Sequence, residues 1–246
     1  MLIPLKYLIN FQIPIKGIIH VGAHELEEMK DYLKRGIDKI IWIEANPAKY
    51  RTIEKKIINY KNMYLGKFAA SSKEGSVKLN IANNGQSSSI LEFGTHKKSY
   101  PKIEYTSKID VRERRVDNWI QENIKNKNLF NFINIDVQGY ELEALKGMKK
   151  QLKYVDYLYL EVNFRQVYKN CSELNEVDEF LKKYNFQRVA IYRTNKGWGD
   201  AIYKKKYIFV SKLYYLLIIP LVRIMNIPKK IFKKSYYYLK SSLKKI

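Results

Sequence analysis

Five apolar runs in this chain end on small or polar residues able to meet a ligand. Ile18–Val21 leads to Gly22 and His24, and Ile40–Ile43 to Glu44 and Asn46. Met63–Phe68 stops at Ala69 and Ala70, Phe132–Ile135 at Asp136 and Gln138, and Tyr154–Val162 reaches Glu161 and Asn163. In open α/β sheets ligands bind beyond the carboxyl ends of the strands, so one fold brings these residues to one edge. Glu44 stands roughly 20 residues past the glycine turn, where nucleotide-binding folds accept hydrogen bonds from ribose hydroxyls. Taken singly, Gly22 also fits an ordinary turn and Glu44 a surface carboxylate.

A dinucleotide fingerprint needs three glycines to seat a pyrophosphate on a helix N-terminus. Only Gly22 is present, and Glu25, Glu27 and Glu28 crowd the turn that follows with charge that repels phosphate. The pattern suits an adenosine ligand that carries a cation in place of phosphates, and S-adenosylmethionine is such a ligand.

The elements that must position these residues follow from periodicity and punctuation. The stretch from Gly17 to Pro47 reads as strand, tight turn, helix (Glu25 to about Arg35) and strand, one right-handed βαβ unit. Helices are expected over 48–59, from Asn118 with Asp117 as cap, and over 139–150 and 172–184. Further strands are expected over 109–116, 186–192 and 199–203. A hairpin is expected around Glu74-Gly75, running through Ser76–Ile81. Asn83 to Ser89 is a loop by turn chemistry, and irregularity through Pro101 suggests a lid or binding loop. Strands alternating with helices over about 190 residues make a doubly wound α/β sheet.

The chain carries 46 Lys and Arg against 24 Asp and Glu, a formal charge of +22, with 46% hydrophobic residues, which argues against disorder. Twelve of the basic residues and none of the acidic ones fall between Ala201 and Ile246. Such a balance fits nucleic acid, anionic lipid or a phosphorylated substrate and does not choose among them. One cysteine, Cys171, excludes an intramolecular disulfide and points to a reducing, cytosolic compartment. No secretory signal is evident in the N-terminal 14 residues.

In this order and at these spacings, HVGAHELEE, EANP, AASSKEG, NNGQSSSIL, RVDNW, NIDVQGYELEALKG, EVN and GWGDAIY resemble the FkbM-type methyltransferases. The resemblance covers about Ile15 to Lys206, and the segment DVQGYELEALKG and the GQSSS loop are its most specific parts. It implies the class I methyltransferase fold: a Rossmann-like, seven-stranded sheet, parallel except for its final strand, with helices on both faces. It implies S-adenosylmethionine as cofactor and O-methylation of hydroxyls on natural products, sugars or glycans. Carried over, Gly22, Ala23 and His24 line the methionine moiety, Glu44 holds the ribose with Asn46 beside it, and Ala69 and Ala70 flank the adenine. Gln138 joins the cofactor side, while Gln86, Ser87 and Ser88 are lid residues. Two departures bear on methionine recognition: His20 stands where an aspartate is frequent, and Glu25-Leu26 where a glycine is frequent.

A sugar hydroxyl is a poor nucleophile at neutral pH, so a base or metal should assist it. Asp136 and Glu161 are the candidate bases, with His96, after the GQSSS loop, as a third. Asp136, Glu161 and Asn163 also form an oxygen set of the kind that holds Mg²⁺, the lesser expectation. Asp200, in the Trp198-Gly199-Asp200 turn, shapes the acceptor side or the strand.

The domain expectation is an N-terminal extension (1–14), a methyltransferase domain (15–206) and a basic, aromatic tail (207–246). Tyr207–Val222 is too broken by Ser211, Lys212 and Pro220 to span a bilayer. The tail suits helices lying on an anionic leaflet, which makes the protein cytoplasmic and peripheral on the inner face of the membrane. The acceptor is then a sugar or surface-glycan precursor. Two rivals stand beside this: a nucleic-acid methyltransferase, and a catalytically silent lipid- or glycan-binding module on the same fold. Base methylation often uses a proline-aromatic motif after the fourth strand, where this chain has Asp136-Val137-Gln138-Gly139.

Overall fold

Ten strands and seven helices make up the computed structural model, which describes residues 1–3, 13–207 and 212–225. Expectations for 4–12, 208–211 and 226–246 lie outside the described residues. In chain order the elements are β1 (Ile18–Val21), α1 (Met29–Leu33), β2 (Ile40–Glu44), α2 (Pro47–Ile57), β3 (Met63–Lys67), β4 (Ala69–Ala70) and β5 (Gly75–Ala82). They continue as α3 (His96–Ser99), β6 (Tyr105–Arg114), α4 (Val116–Asn123), β7 (Phe132–Ile135), α5 (Glu141–Lys146) and β8 (Tyr157–Asn163). The last are α6 (Leu174–Lys182), β9 (Phe186–Arg193), β10 (Trp198–Lys205) and α7 (Lys212–Met225).

Seven strands form one sheet in the order β3-β2-β1-β7-β8-β10-β9. Only β10 is reversed, pairing antiparallel with both β8 and β9. The runs IIHV, IIWIE, FINI and YLYLEVN are buried along their whole length, as central parallel strands covered on both faces must be. Period two sorts their side chains onto the faces. Ile19, Val21, Ile41, Ile43, Ile133 and Ile135 pack with Trp119 and Ile120 of α4 and Leu145 of α5. Ile18, Ile40, Trp42, Phe132 and Tyr159 pack with Tyr32 of α1 and with Ile53 and Ile57 of α2.

Register then builds the edge that matters. Val21 lies opposite Ile43 on one side and Ile135 on the other, and Ile135 lies opposite Leu160. The next residue on each strand (Gly22, Glu44, Asp136 and Glu161) therefore meets its neighbours at the carboxyl edge. Because β10 runs the other way, Asp200 is brought opposite Glu161.

Several expectations need correction. The hairpin at Glu74-Gly75 is not formed; β4 and β5 both pair with β6, in a second sheet of order β4-β6-β5. The chain leaves the large sheet at Lys67 and joins the small one at Ala69, so one apolar run serves two sheets. Helix α1 begins at Met29 rather than Glu25, because His24 and Leu26 take positive φ values of 43° and 62°. Helix α4 begins at Val116, and Asp117 caps no end of it; its carboxylate accepts from Lys150 N and Gln151 N instead. Loop 83–101 is irregular apart from α3, and its bridges Asn80–Ser89 and Phe93–Tyr168 tie it down.

Candidate active site

Gly22 is required by close approach. Its φ is +86°, and a Cβ there would fall 1.9 Å from the carbonyl oxygen of Asp136. The chain then turns so that His24 N donates to Glu44 Oε2 at 2.8 Å, while Asn46 N donates to Glu44 Oε1 at 2.7 Å. Both carboxylate oxygens are thus fixed by backbone, and each retains a lone pair for a further donor. Burial pushes the Glu44 carboxyl above its ordinary value, against the pull of those two amides. Asn46 caps α2, its Oδ1 accepting from Ala48 N at 3.0 Å. Ala23 is buried in the core with Leu26 and Met29 and does not line the site.

A cavity of about 570 Å³ opens over this edge, within the range that encloses a drug-sized ligand. Ile43, Ala45, Phe68, Ala69, Ala70 and Leu79 give one end an apolar lining. The GQSSS loop covers it. Gly85 takes φ +72°, and a Cβ there would stand 3.2 Å from His24 Nε2, a buried nitrogen with no partner among the described residues. Ser88 Oγ donates to Gly85 O, and Asn84 Oδ1 accepts from Ser87 N, so the loop is internally braced. Ser89 Oγ donates to Gln138 O at 2.7 Å and ties the loop to the far wall. Gln86 and Ser87 line the cavity from this loop.

The other end is acidic and aromatic. Gln138, in a left-handed conformation (φ +55°), is the joint: its Nε2 donates to Asp136 Oδ1 at 2.5 Å and reaches Glu161 Oε2 at 3.4 Å. Its Oε1 accepts from Tyr168 Oη at 2.5 Å. Burial, then the charge of Asp136, raises the Glu161 carboxyl well above its ordinary value, and desolvation within the cavity raises Asp136, which stays exposed to that cavity. Asp200, which accepts from Tyr159 Oη, is pushed up to about 6 by burial. His96 is neutral at physiological pH, since burial and then Lys97 lower its pKa. Its ring stacks on Phe93 at 4.5 Å, and its buried Nδ1 has no partner among the described residues.

Of the oxygen set expected from Asp136, Glu161 and Asn163, Asn163 is buried and outside the cavity lining, and its side-chain polar atoms have no partner among the described residues. Glu141 stands beside Asp136 and Glu161, with ligand-type oxygens of the three within 4.8 Å of one another. One of its oxygens already accepts from Val137 N and Gly139 N, which holds the loop that carries Gln138.

Sequence reasoning assigned no role to Glu141, Tyr100, Tyr168 or Trp198, and gave Asp200 a shaping one. Glu141 and Trp198 lie inside the motifs DVQGYELEALKG and GWGDAIY, which could have flagged them. Tyr100 and Tyr168 carry no such signal. At the position of the departure noted at His20, the imidazole lies against the face of Trp42 and its Nδ1 is 3.0 Å from Tyr32 Oη.

A seven-stranded sheet with its penultimate strand β9 parallel and its last strand β10 reversed, a fixed carboxylate after the second strand and an acidic group after the fourth define a class I methyltransferase. Comparison with known proteins agrees: the methyltransferase FkbM domain is matched over residues 20–188, and the chain belongs to that family. A relative, the 2-O-methyltransferase NoeI of Sinorhizobium fredii (strain NBRC 101917 / NGR234), is 22% identical over 179 residues, 70% of this chain and 73% of NoeI. Among solved structures, Sp1610 of Streptococcus pneumoniae, a proposed tRNA (m1A22) methyltransferase, aligns with a TM-score of 0.47 and 15% identity. That alignment covers 98% of this chain and 86% of Sp1610. Aeropyrum pernix fibrillarin, solved with bound S-adenosyl-L-methionine, gives 0.47 and 12%, covering 82% and 72%.

Proposed function

We propose that the protein is an O-methyltransferase that methylates a hydroxyl of a sugar or surface-glycan precursor. The observation that carries this is the joined pair Asp136 and Glu161, held by Gln138 at the far end of the cavity from Glu44. The relative NoeI, named as a 2-O-methyltransferase, supports transfer to oxygen.

The residues fit the cofactor. Glu44, locked by two amides, offers its remaining lone pairs to the ribose hydroxyls, and Ala69, Ala70 and Phe68 give the adenine an apolar slot. The peptide turn at Gly22–His24 borders the methionine end, where Glu28 and Asp136 balance a cation. When bound, the cofactor supplies an electrophilic methyl group for in-line displacement, and the protein supplies alignment.

Glu161 is assigned as the general base. As the acceptor oxygen forms its new bond to carbon, its proton passes to the Glu161 carboxylate. A carboxylate whose pKa is raised is a stronger base than an ordinary one. Gln138 holds Asp136 and Glu161 in register, and neutral His96 forms the wall and offers a nitrogen to a neighbouring hydroxyl. Isotope-labelled methyl donor incubated with nucleotide-sugars and lipid-linked glycans, read by mass spectrometry, tests the assignment. A labelled sugar product supports it; label appearing only in RNA contradicts it.

The site of work is the cytoplasmic face of an anionic membrane. No helix among the described residues is long and apolar enough to cross one. Helix α7 buries Val222 against the domain and sets Arg223 over the Tyr192 ring at 5.5 Å. Its outer stripe leaves Leu216, Leu217, Leu221 and Ile224 at 69%, 63%, 52% and 52% exposure. An apolar stripe beside twelve basic and no acidic residues suits insertion at the headgroup level.

A further inference from the structure

The acceptor end of the cavity has a chemistry of its own. From the β2 carboxyl end, which holds Glu44, to that of β8, which holds Glu161, is three strand spacings, about 14 Å. Beyond Glu161 four rings line the site: His96, Tyr100, Tyr168 and Trp198. They are braced against one another. Trp198 Nε1 donates to Tyr100 Oη at 3.3 Å, the Tyr100 ring lies 4.9 Å from His96, and Tyr168 is fixed through Gln138. His96 in turn rests on Phe93, which stacks on Tyr105 at 3.8 Å.

The charges are one-sided. Glu27, Glu28, Glu44, Asp136, Glu161 and Asp200 line the cavity, and no Lys or Arg side chain does so among the described residues. The Met1 ammonium pairs with Glu28 at 3.1 Å, and Lys196 stands over the Tyr100 ring at 5.9 Å without lining the site. An anion entering there would meet carboxylates, and Met1, which does line the cavity, has its ammonium already paired with Glu28. Besides His24 Nε2, two further buried polar atoms of the lining have no partner among the described residues. They are His96 Nδ1 (residue 5% exposed) and Asn134 Oδ1 (2%), both on residues lining the cavity. They call for hydroxyl or amine groups.

We propose that this end is a sugar subsite selective against anions. The reacting residue is a neutral or amine-bearing pyranose whose C–H face lies on Trp198 and Tyr100, with its hydroxyls on Asp200, Glu161 and His96. Uronic acids, and sugars carrying a phosphate ester on the reacting ring other than at an anomeric linkage, are rejected. The apolar face of a pyranose packs on an aromatic plane, while its edge hydroxyls need acceptors and donors. The carboxylates supply the acceptors, and an amino group gains charge attraction and a cation–π contact. The proposal rests on the sugar-hydroxyl reading above and narrows it.

The full chain, with labelled S-adenosylmethionine, is assayed for S-adenosylhomocysteine release on oligosaccharides matched in linkage. The set comprises a neutral hexose series, an amino-sugar series, a uronate series and a series bearing a phosphate ester; tRNA is a separate arm. A neutral or amino-sugar series should exceed the anionic ones in kcat/KM by about a hundredfold or more, the scale set by an uncompensated buried charge. Trp198→Leu should raise KM for the accepted sugar about tenfold with donor affinity unchanged. Tyr100→Arg should narrow the discrimination against uronates.

Equal turnover of uronates or phosphosugars overturns the selectivity and leaves the sugar reading standing. Turnover of tRNA alone overturns the sugar reading itself. Should no series turn over, quenching of Trp198 emission in the presence of S-adenosylhomocysteine decides, with Trp198→Phe as the blank. Quenching by neutral or amino sugars alone supports the proposal, and equal, reversed or absent quenching overturns it.

Discussion

The ligand cavity and the C-terminal stretch are opposites in charge. Six carboxylates and no Lys or Arg side chain line the cavity among the described residues, whereas residues 201–246 hold twelve basic residues and no acidic one. A net charge of +22 suggests a protein built to grip anions, yet no Lys or Arg side chain lines its cavity among the described residues. Net charge reports which surfaces attract the molecule as a whole; only the local arrangement reports what it binds for chemistry. On the proposed reading, the exposed basic residues serve docking and the acidic ones recognition and proton transfer.

The sharpest way to break this division is at the base. Glu161→Gln should lower kcat by about 10²–10⁴-fold, the usual contribution of general base catalysis, with donor affinity unchanged by calorimetry. Because the Glu161 carboxyl is raised, activity should climb with pH as that group loses its proton, and this limb should vanish in the variant. A variant that keeps wild-type turnover removes Glu161 from the chemistry.

The acidic cluster of Asp136, Glu141 and Glu161 should also be costly to keep charged. Glu141 is raised by burial from 4.5 to about 7, so the folded state holds its proton longer than the unfolded state does. Stability on its account is fullest below about pH 4.5 and is lost as pH rises toward 7. Glu141→Gln keeps an oxygen for Val137 N and Gly139 N, and should remove on the order of 2 kcal/mol of that pH dependence. Urea unfolding at pH 5 and pH 8 reads it, and an unaltered slope contradicts the assignment.

At the opposite end of the cavity, Glu44→Ala should weaken S-adenosylmethionine binding at least tenfold, about 1.4 kcal/mol. It also leaves the amides of His24 and Asn46 without their acceptor. On the basic side the effect should be smallest. Leu217→Glu with Leu221→Glu should lower co-sedimentation with anionic vesicles several-fold, each step of affinity being a fraction of a kcal/mol per exposed group. Turnover of a water-soluble acceptor should be unchanged. Full vesicle binding by this double variant contradicts a role for α7.

The large sheet was legible because buried parallel strands are continuous apolar runs, and IIHV, IIWIE and FINI fall where they were expected. Glu44 was legible because its place after the second strand follows from topology. What escaped notice was set by pairing across long separations. Glu113 and Arg114 draw Ala69 and Ala70 into a second sheet, and no local signal at residues 69–70 announces it. Likewise Asn163 drew attention because it sits next but one to Glu161, whereas Glu141, held by two backbone amides and standing by Asp136, drew none; neither lines the cavity. The aromatic wall gathers Tyr100, Tyr168 and Trp198 from three distant segments, so composition alone had no means of joining them.

A crystal of the protein grown with S-adenosylhomocysteine tests the central claim most directly. The ribose hydroxyls should lie within hydrogen-bonding distance of both Glu44 oxygens, with the adenine between Ala69, Ala70 and Phe68 and the sulfur turned toward Asp136 and Glu161. A nucleoside bound elsewhere, or one at this edge whose ribose makes no contact with Glu44, would contradict it.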